Sequence, residues 1–95
     1  MDRKSDRDLV ERVREQIDIV ELISDYILLT PKGRYYVGLC PFHQEKTPSF
    51  TVTPDKQIFY CFGCGVGGDI FSFVMKKEGV GFAEALNKLA VRANI

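Results

Sequence analysis

Cysteine and histidine are scarce in this sequence, three of the first and one of the second among 95 residues. An odd number of cysteines leaves one over, which rules out a fully paired disulfide framework. No secretory leader opens the sequence, and unpaired thiols fit a reducing, cytoplasmic setting. Long hydrophobic runs are also missing: nowhere do about 18 apolar residues follow one another, so no membrane span is expected. Internal repeats and low-complexity tracts are absent. So is net charge, with 13 basic residues against 13 acidic ones.

The balance hides a gradient. Residues 1–25 hold five Arg or Lys against eight Asp or Glu, residues 26–64 hold four against two, and residues 65–95 hold four against three. The small basic excess in the middle suits a few positioned phosphate contacts rather than a strong polyanion clamp. The acidic residues near the start read as a solvated helix face.

What is present is concentrated. Every cysteine and the single histidine lie between residues 40 and 64, with two residues separating Cys40 from His43 and two separating Cys61 from Cys64. A tight turn can present two ligands at that spacing, and structural zinc takes four nitrogen or sulfur ligands in a tetrahedron. One closed zinc site made by Cys40, His43, Cys61 and Cys64 is therefore expected, with Gly in Cys61-Phe62-Gly63-Cys64-Gly65 supplying positive φ in the ligand loop. A redox CxxC would sit beside a βαβ pattern, which is not found here, and haem attachment would need His at position 65, which is Gly. A zinc deaminase is the enzymatic rival, because His43-Gln44-Glu45 and Cys61-x-x-Cys64 spell most of its signature. Tyr60 stands where that signature has Pro, and Cys40 would close the position that catalytic zinc keeps open.

The segments around the ligands alternate in character. Ser5 and Asp8 suggest a capped helix carrying Leu9, Val13 and Ile17, and Asp18 with Glu21 suggests a second short one through Asp25. YILLT and YYVGL flank a PKGR turn, and SFTVT and QIFYC flank Pro54-Asp55-Lys56, giving two hairpins that deliver Cys40 and Cys61. Asp69 can cap a helix ending before Gly79, and a last helix from Phe82 carries Ala85, Leu86 and Leu89 on one face. The expectation is one α+β domain over residues 1–95: a zinc ribbon-like antiparallel sheet (core about 26–65) flanked by short helices at 6–25 and 69–93. At this size a hydrophobic core gives only a few kcal/mol, and zinc would supply the rest. Phe71, Phe73 and Phe82 are expected in that core.

A nucleic-acid face is also legible. Lys32, Arg34, Lys46 and Lys56 sit in or beside turns and the ligand loop, interleaved with Tyr35, Tyr36, Phe50, Phe59 and Tyr60. Cations track phosphates while aromatic faces stack bases, and Thr47, Ser49 and Thr51 offer hydroxyls. Arg34, Lys46 and Lys56 are expected on one side of the sheet. Each strand aromatic is open to two readings, core or stacking, since alternation sends Phe50 and Val52 to one face and Ser49, Thr51 and Thr53 to the other.

The run LCPFHQEKTPSFTV and the block KQIFYCFGCGVGGD together resemble the N-terminal zinc-binding domain of bacterial primases of the DnaG type, a likeness that extends from DIVELIS to FAEALNKLA. The resemblance implies a structural zinc on Cys40, His43, Cys61 and Cys64, and a partner in single-stranded DNA template during RNA primer synthesis at the bacterial replication fork. It implies a magnesium-dependent polymerase domain and a helicase-docking domain elsewhere in the family's proteins. Neither is legible in these residues. No cluster of acidic residues suited to a two-metal nucleotidyl-transfer site occurs, so this chain by itself is not expected to polymerise. A protein-interaction ribbon, contacting the polymerase domain or another replication protein, is the alternative.

Overall fold

The computed structural model describes residues 3–95, with side chains from residue 7 onward. Among the described residues nine elements follow one another: α1 (Arg3–Gln16), α2 (Ile19–Ser24), β1 (Thr30–Lys32), β2 (Tyr35–Gly38), β3 (Phe50–Thr53), β4 (Ile58–Cys61), β5 (Gly67–Gly68), α3 (Ile70–Glu78) and α4 (Phe82–Arg92). The strands form one antiparallel sheet in the order β1-β2-β3-β4-β5. This is the α+β architecture expected, a ribbon-like sheet with helices before and after it.

Alternation decides which face the helices cover. Register aligns Tyr36, Val52 and Phe59 across three strands, and Phe50, Val52 and Phe59 are fully buried or nearly so. Against them pack Ile70, Phe71, Phe73 and Val74 of α3, with Ala85, Leu86 and Leu89 of α4 and Val13, Ile19, Leu22 and Ile23 of the first two helices. Phe50 and Phe59 stack with ring centroids 5.3 Å apart, and Phe73 meets Phe59 edge-on at 5.6 Å. The opposite face, carrying Tyr35, Ile58 and Tyr60, has no helix of the described residues over it and stays exposed.

Several local expectations shift. The first helix already runs through Ser5, so Ser5 does not mark its start. Asp18 does cap α2, accepting from the Val20 and Glu21 amides, while the Ile19 amide goes to the Gln57 side chain at 2.9 Å. Residues 26–29 are not a strand, because the Tyr26 and Ile27 amides both bond back to Ile23 at the end of α2. The strand starts at Thr30 and takes in Pro31, which an edge strand tolerates since no ladder donor is required of it. Gln57 leaves the expected second strand for the turn, where its φ of 55 and its bonds to the Pro54 carbonyl close the loop. Phe82, expected in the core, is 44% exposed. It stands in the first turn of α4, leans on Phe71 at 5.1 Å and lines a groove with Leu9 and Val10 of α1.

Asp69 caps α3 by accepting from the Ser72 amide at 3.0 Å and pairs with Arg14 of α1 at 3.0 Å. Burial alone would raise its pKa, but the Ser72 amide and the Arg14 guanidinium hold it below the ordinary carboxylate value. Asp69→Ala is expected to cost about 1 kcal/mol, as lost caps do. Because the folded pKa is the lower one, that contribution is complete above the unfolded value of about 3.9 and disappears as pH falls through the folded value. Urea titrations should show the gap between wild type and variant closing in acid; a gap that acid leaves unchanged would remove this role for the carboxylate.

Candidate metal centre and the open sheet face

β2 ends at Gly38 and β4 at Cys61, at the same end of the sheet, with Gly38 and Cys61 both partnered by Phe50. Two chain turns leave from there. The first carries Cys40 and His43, the second Cys61 and Cys64. The ligand atoms of all four lie within 4.8 Å of one another, and among the described residues no other His/Cys/Asp/Glu group is so placed. Cys40 Sγ is 3.9 Å from Cys64 Sγ, and Cys61 Sγ is 4.0 Å from His43 Nδ1. Thiolates bound tetrahedrally at about 2.3 Å from zinc stand about 3.8 Å apart, so three cysteines and one imidazole at these separations fit that ion. All four expected ligands are therefore brought together.

The ligand turns are built into the core rather than appended to it. Cys40 and Cys61 are buried, while Cys64 is exposed. Phe42, between the first two ligands, packs on Phe73 with centroids 5.5 Å apart. In the second turn the Gly65 amide bonds the Cys61 carbonyl at 2.8 Å, and Gly65, not Gly63, holds the positive φ, at 79. Gly63 is needed for a different reason. A Cβ there would lie 2.8 Å from Ser49 Oγ, 2.9 Å from His43 Nε2 and 3.0 Å from Glu45 Oε1.

Electrostatics differ between the thiols. Burial pushes the Cys40 thiol up to about 12. Burial would also raise Cys61, but the Cys64 and Gly63 amides and the Ser49 hydroxyl bring it below its ordinary value. Amides aimed at a sulfur favour the thiolate, which is the form that binds metal.

The exposed sheet face forms a shallow trough lined by Lys32, Arg34, Tyr35, Thr51, Tyr60 and Phe62, among others. Tyr60 and Phe62 meet edge-on, centroids 4.9 Å apart, with Phe62 73% exposed. Of the residues expected to contact nucleic acid, Lys32, Arg34 and Tyr35 share this trough. Lys46 does not; it lies at the metal end beside Leu39 and His43. Lys56 lies on the helix side of the β3–β4 turn, next to Arg14 and Asp69. The expected alignment of Arg34, Lys46 and Lys56 is thus corrected. Two aromatics are corrected as well: Phe50 and Phe59 are core residues. Extracting either ring would cost about 3–5 kcal/mol, more than the roughly 1–3 kcal/mol a stacked base returns. Phe62 was missed, although its place one residue beyond the Cys61 ligand marks it as leaving the strand.

Comparison with known proteins gives four matches. Residues 5–95 match the family described as CHC2 zinc finger. The chain is 50% identical to the DNA primase of Geobacillus stearothermophilus over 95 residues, which is 100% of this chain and 16% of that protein. It is 55% identical over 83 residues to the DNA primase of Listeria monocytogenes, covering 87% of this chain and 13% of the relative. The chain therefore spans about a sixth of the length of these relatives. Among solved structures it is similar to the Aquifex aeolicus primase (zinc-binding and RNA polymerase domains), with a TM-score of 0.86 and 49% identity over 90% of this chain and 21% of that one.

Proposed function

This chain belongs to the CHC2 zinc finger family, and from that membership we propose that it serves as the template-binding domain of a bacterial DNA primase, helping to choose where an RNA primer starts. Cys40, His43, Cys61 and Cys64 would hold one structural zinc, and four protein ligands would leave no position open for water. Such a site would supply no Lewis-acid chemistry; its ligands would tie the two turns to the end of the sheet. The chain is not expected to make primer by itself, because the described residues gather no acidic cluster for magnesium-dependent nucleotidyl transfer. That chemistry belongs to a polymerase domain, and any helicase contact to a further domain.

The observation that supports template binding is the open trough, where two cations and three exposed aromatics share one unhelixed sheet face. Charge suggests a polarity along it. Three thiolates and a neutral imidazole around zinc leave a net −1, and Glu45 adds another, so the metal end repels phosphate apart from Lys46. Lys32 and Arg34 stand at the other end, beside the hairpin turns. The sugar-phosphate backbone accordingly runs past the turn end, and bases lie over Tyr35, Tyr60 and Phe62.

Titration of zinc-loaded protein with a single-stranded oligonucleotide at several salt concentrations tests this. Two or three phosphate contacts predict log K falling against log salt with a slope of about −1.4 to −2, and Arg34→Ala should flatten it by about 0.7. No RNA product should appear when ribonucleotides and magnesium are added. Absence of binding at low salt, with zinc and fold intact, would turn the trough into a protein-docking surface.

A further inference from the structure

Glu45 lies outside the group of four ligand residues, yet its carboxylate contacts one of them, His43. We infer that Glu45 is the positioning residue of the zinc site: its carboxylate accepts a hydrogen bond from the Nε2–H of His43, fixes the ring so that Nδ1 faces the metal, and braces the chain on either side of the first ligand turn. This rests on the zinc reading above and goes beyond it by assigning a residue outside the ligand set.

The contacts carry it. Nδ1 of His43 faces the Cys61 thiol at 4.0 Å, and Nε2 lies 3.1 Å from Glu45 Oε1. A neutral imidazole that gives one nitrogen to a metal carries its proton on the other, so a carboxylate at that distance from Nε2 selects the tautomer. The other carboxylate oxygen accepts from the Cys40 amide at 2.9 Å and the Ser49 amide at 3.1 Å, and Oε1 also takes the Ser49 hydroxyl. Ser49 Oγ is in turn 3.7 Å from Cys61 Sγ. One side chain therefore touches the backbone of the first ligand, the ring of the second, and a hydroxyl beside the third. It is only 10% exposed, which is unusual for a glutamate without such partners. Gly63 completes the arrangement, since any side chain there would press on Ser49, His43 and Glu45 together.

The test compares the 95-residue chain with Glu45→Ala and Glu45→Gln by zinc competition against a chelator, and records long-range proton–nitrogen spectra of the zinc-loaded His43 ring. Outer-shell partners of metal-binding histidines typically carry 10–100-fold in affinity, so Glu45→Ala should weaken zinc by about that factor. Glu45→Gln, which keeps an acceptor oxygen, should recover part of it. In wild type the spectrum should show Nδ1 bound to metal and an Nε2 proton protected from solvent exchange, and that protection should be lost in Glu45→Ala. Zinc held through Nε2, or Glu45→Ala binding zinc within about twofold of wild type, overturns the role of Glu45 and leaves the metal site standing. A wild-type chain that binds no zinc overturns the metal reading instead. If Glu45→Ala does not fold even with zinc, the wild-type spectrum decides alone.

Discussion

Cys61→Ser is expected to remove zinc and cooperative tertiary structure in one step, leaving a chain that binds chelatable metal no better than a peptide and melts without a transition. Cys61 has two roles that few ligands combine. It is fully buried in the hydrophobic core and pairs with Phe50 in the sheet, while its sulfur faces His43. Its amide bonds the Val66 carbonyl at 2.8 Å and its carbonyl accepts from Gly65, so the strand, the turn and β5 all depend on its position. A serine hydroxyl there is a poor zinc ligand and a buried polar group whose metal partner is gone. Structural zinc contributes roughly 10–16 kcal/mol in small domains at neutral pH, against the few kcal/mol a core of this size supplies. The loss therefore exceeds what packing alone can offset. Circular dichroism with and without zinc, together with metal analysis, checks it. A variant that stays folded and cooperative without metal would show that the core is sufficient, and would demote the zinc to an ornament of the sheet end.

The ligands were legible because metal geometry is written in spacing: two pairs, each within reach of one turn, are visible before any fold is known. Parity was legible too, and the alternation that separates Phe50 and Val52 from Thr51 and Thr53 is the burial observed. What parity does not tell is which face is covered. Cys61 buried at the end of β4 settles it for that strand, since Phe59 shares its side and Tyr60 does not. The two-residue β5 was not foreseen, because Gly67 and Gly68 have no strand preference and are held there by pairing with Tyr60 and Phe59. In the sequence Glu45 belongs to the deaminase-like His43-Gln44-Glu45 and to the primase-like run, and neither gives it a bracing role at the ligand turns. Its work depends on contacts from Cys40, His43 and Ser49 that the fold assembles, and no local pattern announces them.

Neighbouring residues on β4 should therefore fail in different ways. Phe59→Ala is expected to lose about 3–5 kcal/mol of stability, the usual cost of truncating a buried phenylalanine. The residue is 2% exposed, stacked on Phe50 and met edge-on by Phe73, so its truncation removes contacts on both rings. Any loss of oligonucleotide binding in that variant should follow the folded fraction and vanish when binding is expressed per folded molecule. Tyr60→Ala should do the reverse. Its ring is 44% exposed on the open face, against Phe62 alone among the aromatics, so stability should change by less than about 1 kcal/mol. Affinity for single-stranded DNA should fall by the worth of one stacked base, about 1–3 kcal/mol, or roughly 5- to 150-fold. The salt slope should stay as it was, because no phosphate contact is lost. Paired urea and salt titrations of the two variants separate these outcomes. Should Tyr60→Ala bind like wild type across salt, Tyr60 has no part in holding template. Should Phe59→Ala keep full stability yet lose affinity per folded molecule, the covered face of the sheet would be the one that DNA meets.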